Sequence, residues 1–126
     1  MTRTTATRVH RPTATAVHDM LVELYDRVHE EWGRQVAIAD SMRTSRDVGP
    51  GDDADLASIY AHAGEQDALI HALRSQLDDL AVAMERADNG SYGRCEGCQH
   101  AIPAARLALF PAATLCVACK QRVQRR

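Results

Sequence analysis

Aromatic residues make up 4% of the 126-residue chain, with one Trp and one Phe. So few large rings cannot fill a broad globular core, which leaves elongated architectures or ones stapled by a metal. Val and Ile are scattered and never alternate with polar residues over the length of a strand, so a sheet is not expected. No apolar run approaches the roughly 20 residues that a membrane span needs, and no signal-peptide segment is visible. The formal charge is −2, which gives no overall basic bias towards nucleic acid, and Lys120 is the only lysine. No Ser/His/Asp or Cys/His constellation and no Gly-rich phosphate loop can be found, so the chain is not expected to be an enzyme.

What is present favours helix: Ala, Leu, Arg, Glu, Asp and Gln dominate. Residues 1–12 carry Arg3, Arg8 and Arg11 without an acid or a hydrophobic period, and read as a disordered basic tail closed by Pro12. Thr13 or Thr15 can cap a helix that starts there. Its stripe runs Val17, Leu21, Leu24, Val28, Glu31, Gln35, Ile38, Met42 in steps of four and three. Gly49-Pro50-Gly51 breaks it near Asp47. A second stripe follows, Leu56, Ile59, Ala63, Gln66, Ile70, Leu73, Leu77, Leu80, Met84, with Asp52 or Asp53 as cap and Asn89-Gly90 as stop.

The two stripes mirror each other. The pairs Met42/Ile59, Ile38/Ala63, Gln35/Gln66, Glu31/Ile70, Val28/Leu73, Leu24/Leu77, Leu21/Leu80 and Val17/Met84 each sum to 101, which centres them between Pro50 and Gly51. This predicts an antiparallel coiled-coil hairpin over residues 13–89 with its tip at 47–57 and arms roughly 50 Å long. Gln35 faces Gln66, a polar layer that fixes register at some cost in stability. Glu31 fits the seam poorly, and Trp32 beside it is placed to turn in instead. The histidines at 29, 62 and 71 fall off the seam.

Residues 90–126 read as a compact zinc-finger domain with a C-terminal helix. Cys95 and Cys98 form one Cys-x-x-Cys pair, Cys116 and Cys119 the other, with seventeen residues between them. Two such pairs are the ligand pattern of one structural zinc ion, with no open coordination position for catalysis. Gly97 eases the first turn. Zinc there would supply about 10–16 kcal/mol of folding energy, by analogy with zinc-finger peptides. Arg94, Arg106 and Lys120 lie near the thiolates in sequence, and His100 reads as a bystander. Pro103 opens a short helix that Pro111 ends, Leu107 and Phe110 are expected to pack under the metal, and a last helix begins around Cys116 and runs into a basic end.

At the tip, Asp52, Asp53 and Asp55 can serve simply as helix caps and first-turn charges, or as a carboxylate probe carried into a narrow site. Here the pieces together resemble a known family. Gly90-Ser91-Tyr92-Gly93-Arg94-Cys95-Glu96-Gly97-Cys98, Ile102-Pro103-Ala104-Ala105-Arg106-Leu107, Pro111-Ala112 and Leu115-Cys116-Val117-Ala118-Cys119-Lys120 are similar to the DksA/TraR zinc-finger signature. The hairpin and the acidic tip resemble its longer, DksA-like members. The resemblance implies an all-α protein with a small zinc finger, a cytoplasmic monomer that binds bacterial RNA polymerase. It also implies that the tip enters the polymerase secondary channel and modulates initiation, often together with the alarmone ppGpp of the stringent response. The family tip motif Asp-x-x-Asp-x-Ala falls on Asp52, Asp55 and Ala57. Members that bind ppGpp carry a basic residue before the finger's second proline and others late in the second helix. Here those places hold Phe110, Asp78 and Asp79, and only Lys120 keeps a position for a ppGpp or polymerase contact. No specific DNA contact and no membrane are expected. The alternatives are a Gre-type transcript-cleavage factor, a zinc ribbon binding nucleic acid through Arg122, Arg125 and Arg126, and a purely structural adaptor.

Overall fold

The computed structural model describes residues 13–45 and 53–125. The expectations placed on residues 1–12, and on most of the tip including Asp52, lie outside the described residues. Four helices follow in order: α1 (Ala14–Ser45), α2 (Asp53–Asn89), α3 (Ala104–Leu109) and α4 (Val117–Gln124). Among the described residues there is no strand, only a single bridge between Arg94 and Ala101. No described helix is long and apolar enough to cross a membrane.

Helix α1 starts where a hydroxyl can satisfy an orphan N–H of the first turn: Thr13 Oγ1 accepts from the Ala16 N–H at 3.2 Å. Helix α2 ends in a Schellman turn. Gly90 takes φ +81°, and the Ser91 and Tyr92 N–H groups donate back to the Arg86 carbonyl at 2.9 and 3.1 Å. At 32 and 37 residues, the two arms extend about 48 and 55 Å.

The arms pack antiparallel. Val17, Leu21, Leu80, Ala83 and Ala87 form the buried cluster at the base, with Leu24, Tyr25, Val28 and Met84 packed against it. Leu21, paired with Leu80 by the mirrored stripes, is fully buried. The polar layer also forms: Gln66 Nε2 donates to Gln35 Oε1 at 2.6 Å and to the Gln35 carbonyl at 3.1 Å. Gln35 Nε2 passes the chain on to Glu31 Oε1 at 2.6 Å, and Arg34 holds the other oxygen at 2.5 Å. Glu31, the misfit of the seam, is thus used sideways, while Trp32 is half-buried beneath the Arg74 guanidinium, 5.8 Å from the ring centroid.

Towards the tip the heptad reading fails by one position. Ile38 is 46% exposed, and its neighbour Ala39 is buried at 7%. A straight helix drifts about 20° per heptad relative to a 3.5-residue repeat. Residue 39 lies five full turns from Leu21, so it inherits the inward face. Leu56 and Ile59 are each 39% exposed as well. The seam is therefore closed at the base and half open near the tip.

Leu21→Ala should cost about 2–5 kcal/mol in chemical unfolding, whereas Leu56→Ala should cost no more than about 1.5 kcal/mol. Equal losses would contradict the burial gradient. A second expectation follows from Glu31, whose carboxyl is held below the ordinary 4.5 first by the Gln35 hydrogen bond and then by Arg34. A depressed folded pKa adds stability above 4.5 that disappears as pH falls through the folded value. Wild type should melt above Glu31→Gln near neutrality, and the gap should close below pH 4.5 in melts followed by circular dichroism.

Candidate functional site: zinc centre, neck and tip

The finger begins directly at the Schellman turn. Cys95 sits in a tight loop: its N–H donates to the His100 carbonyl at 2.8 Å, and the Gln99 N–H donates to the Cys95 carbonyl at 3.0 Å. Gln99 closes the loop in the left-handed region at φ 64°. Cys116 is the N-cap of α4 and Cys119 lies in its first turn, so the second pair is presented by a helix start. The Sγ atoms of Cys95, Cys98, Cys116 and Cys119 all lie within 4.8 Å of one another. The Cys98–Cys116 separation is 3.9 Å. Zn–S bonds of about 2.3 Å in a tetrahedron require sulfurs about 3.8 Å apart, so the donor set fits one zinc ion.

The polypeptide also prepares the sulfurs electrostatically. The Cys116 and Gly97 N–H groups each donate to Cys95 Sγ at 3.3 Å. The Cys116 amide, ahead of those of Cys98 and Gly97, draws the Cys95 thiol down to about 6. Contacts with Cys116, then Cys95, with burial behind them, push the Cys119 thiol up to about 12. One thiolate is thus ready, and the others are deprotonated as the metal binds. Gly97 is required for closure, because a Cβ there would stand 2.8 Å from Cys119 Sγ. Of the three cations near the thiolates in sequence, Arg106 turns its Nε to the Leu115 carbonyl at 3.1 Å, which braces the approach to Cys116.

Leu107 packs on the cysteine cluster as expected, together with Leu115 and the buried Ile102. Phe110 does not. It is the C-cap of α3, 57% exposed, with the Arg106 guanidinium 5.5 Å from its ring centroid. The one short segment between Pro103 and Pro111 leaves no second layer to cover it. Phe110, Arg106, Lys120 and Asp79 instead line a groove of about 730 Å³ between α2 and the finger. His100 is exposed and contributes only its backbone carbonyl to the loop, as a bystander should.

A neck joins finger to hairpin. Arg86 is buried, 8% exposed, and its Nη2 donates to the carbonyls of Ser91, at 3.0 Å, and Arg94. Tyr92 packs on the basal cluster, as does Ala112, and donates its hydroxyl to the Pro111 carbonyl at 2.6 Å. Burial pushes the Tyr92 phenol up, against the opposing pull of Arg86. Neither role was read from the sequence. The available signal was an arginine in the last turn of a helix, where a cation can reach carbonyls beyond the end.

At the other end of the rod, Asp55 and Ala57 lie in the first turns of α2, and both are exposed. Lys120 is exposed at the start of α4, its N–H donating to the Cys116 carbonyl at 2.9 Å. The rod thus separates the tip positions from the cysteines by nearly the full length of α2.

Chelating zinc should unfold the finger while leaving α1 and α2 helical, seen as a partial loss of far-ultraviolet circular dichroism. Gly97→Ala should weaken zinc binding at least tenfold in competition with a chromogenic chelator; an unchanged affinity would show that the Cys119 contact is not limiting.

Known proteins converge on the same description. The family described as prokaryotic dksA/traR C4-type zinc finger matches residues 90–125. An uncharacterized protein of Aquifex aeolicus (strain VF5) is 37% identical over 49 residues, covering 39% of this chain and 34% of that protein. The uncharacterized protein YlyA of Bacillus subtilis (strain 168) is 38% identical over 45 residues, covering 36% of each. The chain thus spans about a third of the length of the curated relatives it matches. The structure of transcription factor DksA2 from Pseudomonas aeruginosa aligns over 90% of this chain and 84% of its own, with a TM-score of 0.73 and 28% identity. Residues 90–125 thus carry the dksA/traR C4-type zinc finger, and the chain as a whole, hairpin included, is similar in fold to DksA2.

Proposed function

We propose that the chain is a non-enzymatic regulator that binds bacterial RNA polymerase, carries its tip through the secondary channel and modulates transcription initiation. The observation that carries the reading is the placement of Asp55 and Ala57, exposed in the first turns of α2 at the far end of the rod from the zinc centre. With Asp52 they match the family tip motif Asp-x-x-Asp-x-Ala. A carboxylate at the end of a two-helix rod can enter a passage too narrow for a globular domain. Once inside, it can act by charge on a metal-dependent site without chemistry of its own.

The finger and neck serve as the handle, which remains outside. The protein acts in this way as a cytoplasmic monomer, and zinc has a structural part only, since four thiolates leave no coordination position for a substrate. The reading includes independence from ppGpp. The groove beside Lys120 contains Asp79 and the exposed Phe110. An acid and an apolar ring are poor neighbours for a pyrophosphate, which calls for clustered cations.

Transcription in vitro from a ribosomal-type promoter is the test. Wild type should change the yield of initiated transcripts, and Asp55→Asn should lose at least most of that effect while still co-purifying with core polymerase. Adding ppGpp should leave the response unchanged. Equal effects of wild type and Asp55→Asn would remove the tip from the mechanism. Rapid shortening of RNA in stalled complexes would replace the proposal with transcript cleavage.

A further inference from the structure

The join between rod and finger also carries a reactive dipeptide. Asn89 is the only asparagine of the chain, and Gly90 follows it. Both are exposed. Asn89 and Ser91 line a cavity of about 390 Å³, so water reaches the pair. Two donors hold the Asn89 side chain: its Oδ1 accepts from the Ser91 N–H at 3.1 Å and from the Ser91 hydroxyl at 2.5 Å. The first of these bonds closes an Asx turn, a ring that contains both Asn89 Cγ and the Gly90 nitrogen.

An activated carbonyl thus stands beside an available nitrogen. Both bonds draw electron density away from Cγ, and both donors are in place for the negative charge that the oxygen gains when Cγ is attacked. The Gly90 N–H makes no well-formed hydrogen bond among the described residues. A regular last turn would offer it the Arg86 carbonyl. That carbonyl instead accepts from the Ser91 and Tyr92 N–H groups at 2.9 and 3.1 Å. Apart from its chain neighbours, nothing lies within 4 Å of the place a Cβ on Gly90 would take, so the residue is uncovered on that side.

We propose that Asn89-Gly90 is a site of self-modification, at which the chain deamidates through a succinimide and so limits the lifetime of its own neck. Solvent hydroxide takes the Gly90 amide proton, and the nitrogen bonds to Asn89 Cγ. The Cγ–Nδ2 bond then breaks, and ammonia leaves with a proton drawn from water. Water next opens the ring. Opening at Cγ gives aspartate, whereas opening at the main-chain carbonyl carbon gives isoaspartate, with the chain routed through Cβ and Cγ. One water enters, one ammonia leaves, and nothing is oxidised or reduced. Either product puts a new carboxylate in the last turn of α2, where the helix dipole disfavours negative charge and Glu85 and Asp88 already stand. The isoaspartyl product also inserts an extra main-chain atom between Arg86 and the Ser91 and Arg94 carbonyls that its guanidinium holds. The turn at Gly90 then loses its register, and the finger loosens from the rod.

The zinc-loaded full-length chain is incubated at mildly alkaline pH and followed by intact mass and peptide mapping, beside a synthetic peptide of residues 84–94. Succinimide and isoaspartate should accumulate at Asn89 at no less than about a tenth of the peptide's rate. Ser91→Ala, which removes only the hydroxyl donor, should slow the full-length chain at least about threefold and leave the peptide unchanged. The isoaspartyl fraction, separated by ion exchange, should bind zinc at least about threefold more weakly than the unmodified chain. Asn89→Gln, whose longer side chain closes the ring far more slowly, should keep its zinc affinity through the same incubation. A full-length rate below about a tenth of the peptide's would overturn the proposal, because the fold would then shield the pair. So would a rate indifferent to Ser91→Ala, or an isoaspartyl chain that holds zinc as tightly as the original.

Discussion

Two helices alone can bury only one stripe each, and everything else in this molecule follows from that restriction. A third layer would let each residue of the seam be covered from several sides; here every seam residue has one facing helix and then solvent. Burial is therefore complete only where something closes the end of the rod. At the base the finger does this, through Tyr92 and Ala112 against the Val17–Leu21–Leu80 cluster. Towards the tip nothing comparable is present among the described residues, and Ile38, Leu56 and Ile59 remain partly wet.

The zinc centre and the hairpin depend on each other through the neck. Zinc folds a segment whose own apolar core is only Ile102, Leu107, Leu115 and the cysteines. That segment then caps the rod. Arg86 makes the join directional. A buried guanidinium must find acceptors, and its two partners are carbonyls on either side of Tyr92 and Gly93, so the first turn of the finger is set by the last turn of α2. The Schellman turn at Gly90 supplies the reversal, and the guanidinium holds the chain that leaves it.

Much of this was legible in the sequence because it is periodic or spaced. The heptad stripes found the base layers, and their common centre placed Gln35 opposite Gln66. The cysteine spacing found the metal site. What stayed hidden depends on geometry that spacing does not encode. Ala39 displaces Ile38 because the accumulated drift of a straight helix outweighs side-chain size. Phe110 was expected under the metal on hydrophobicity alone, but a six-residue helix bounded by prolines turns it outward onto Arg106. Arg86 reads as an ordinary surface cation until its neighbours at the neck are known. At the tip, the sequence names Asp52, Asp55 and Ala57 through the motif, and no periodicity argument distinguishes an acting carboxylate from a capping one.

The half-open seam near the tip also has a mechanical consequence. Local opening requires the least free energy where the fewest apolar contacts are broken. Amide protons should thus exchange faster outward from the Leu21 layer, past the hydrogen-bonded Gln35–Gln66 pair. Among the described residues, the rod is thus held most firmly at its base, where the finger closes the seam.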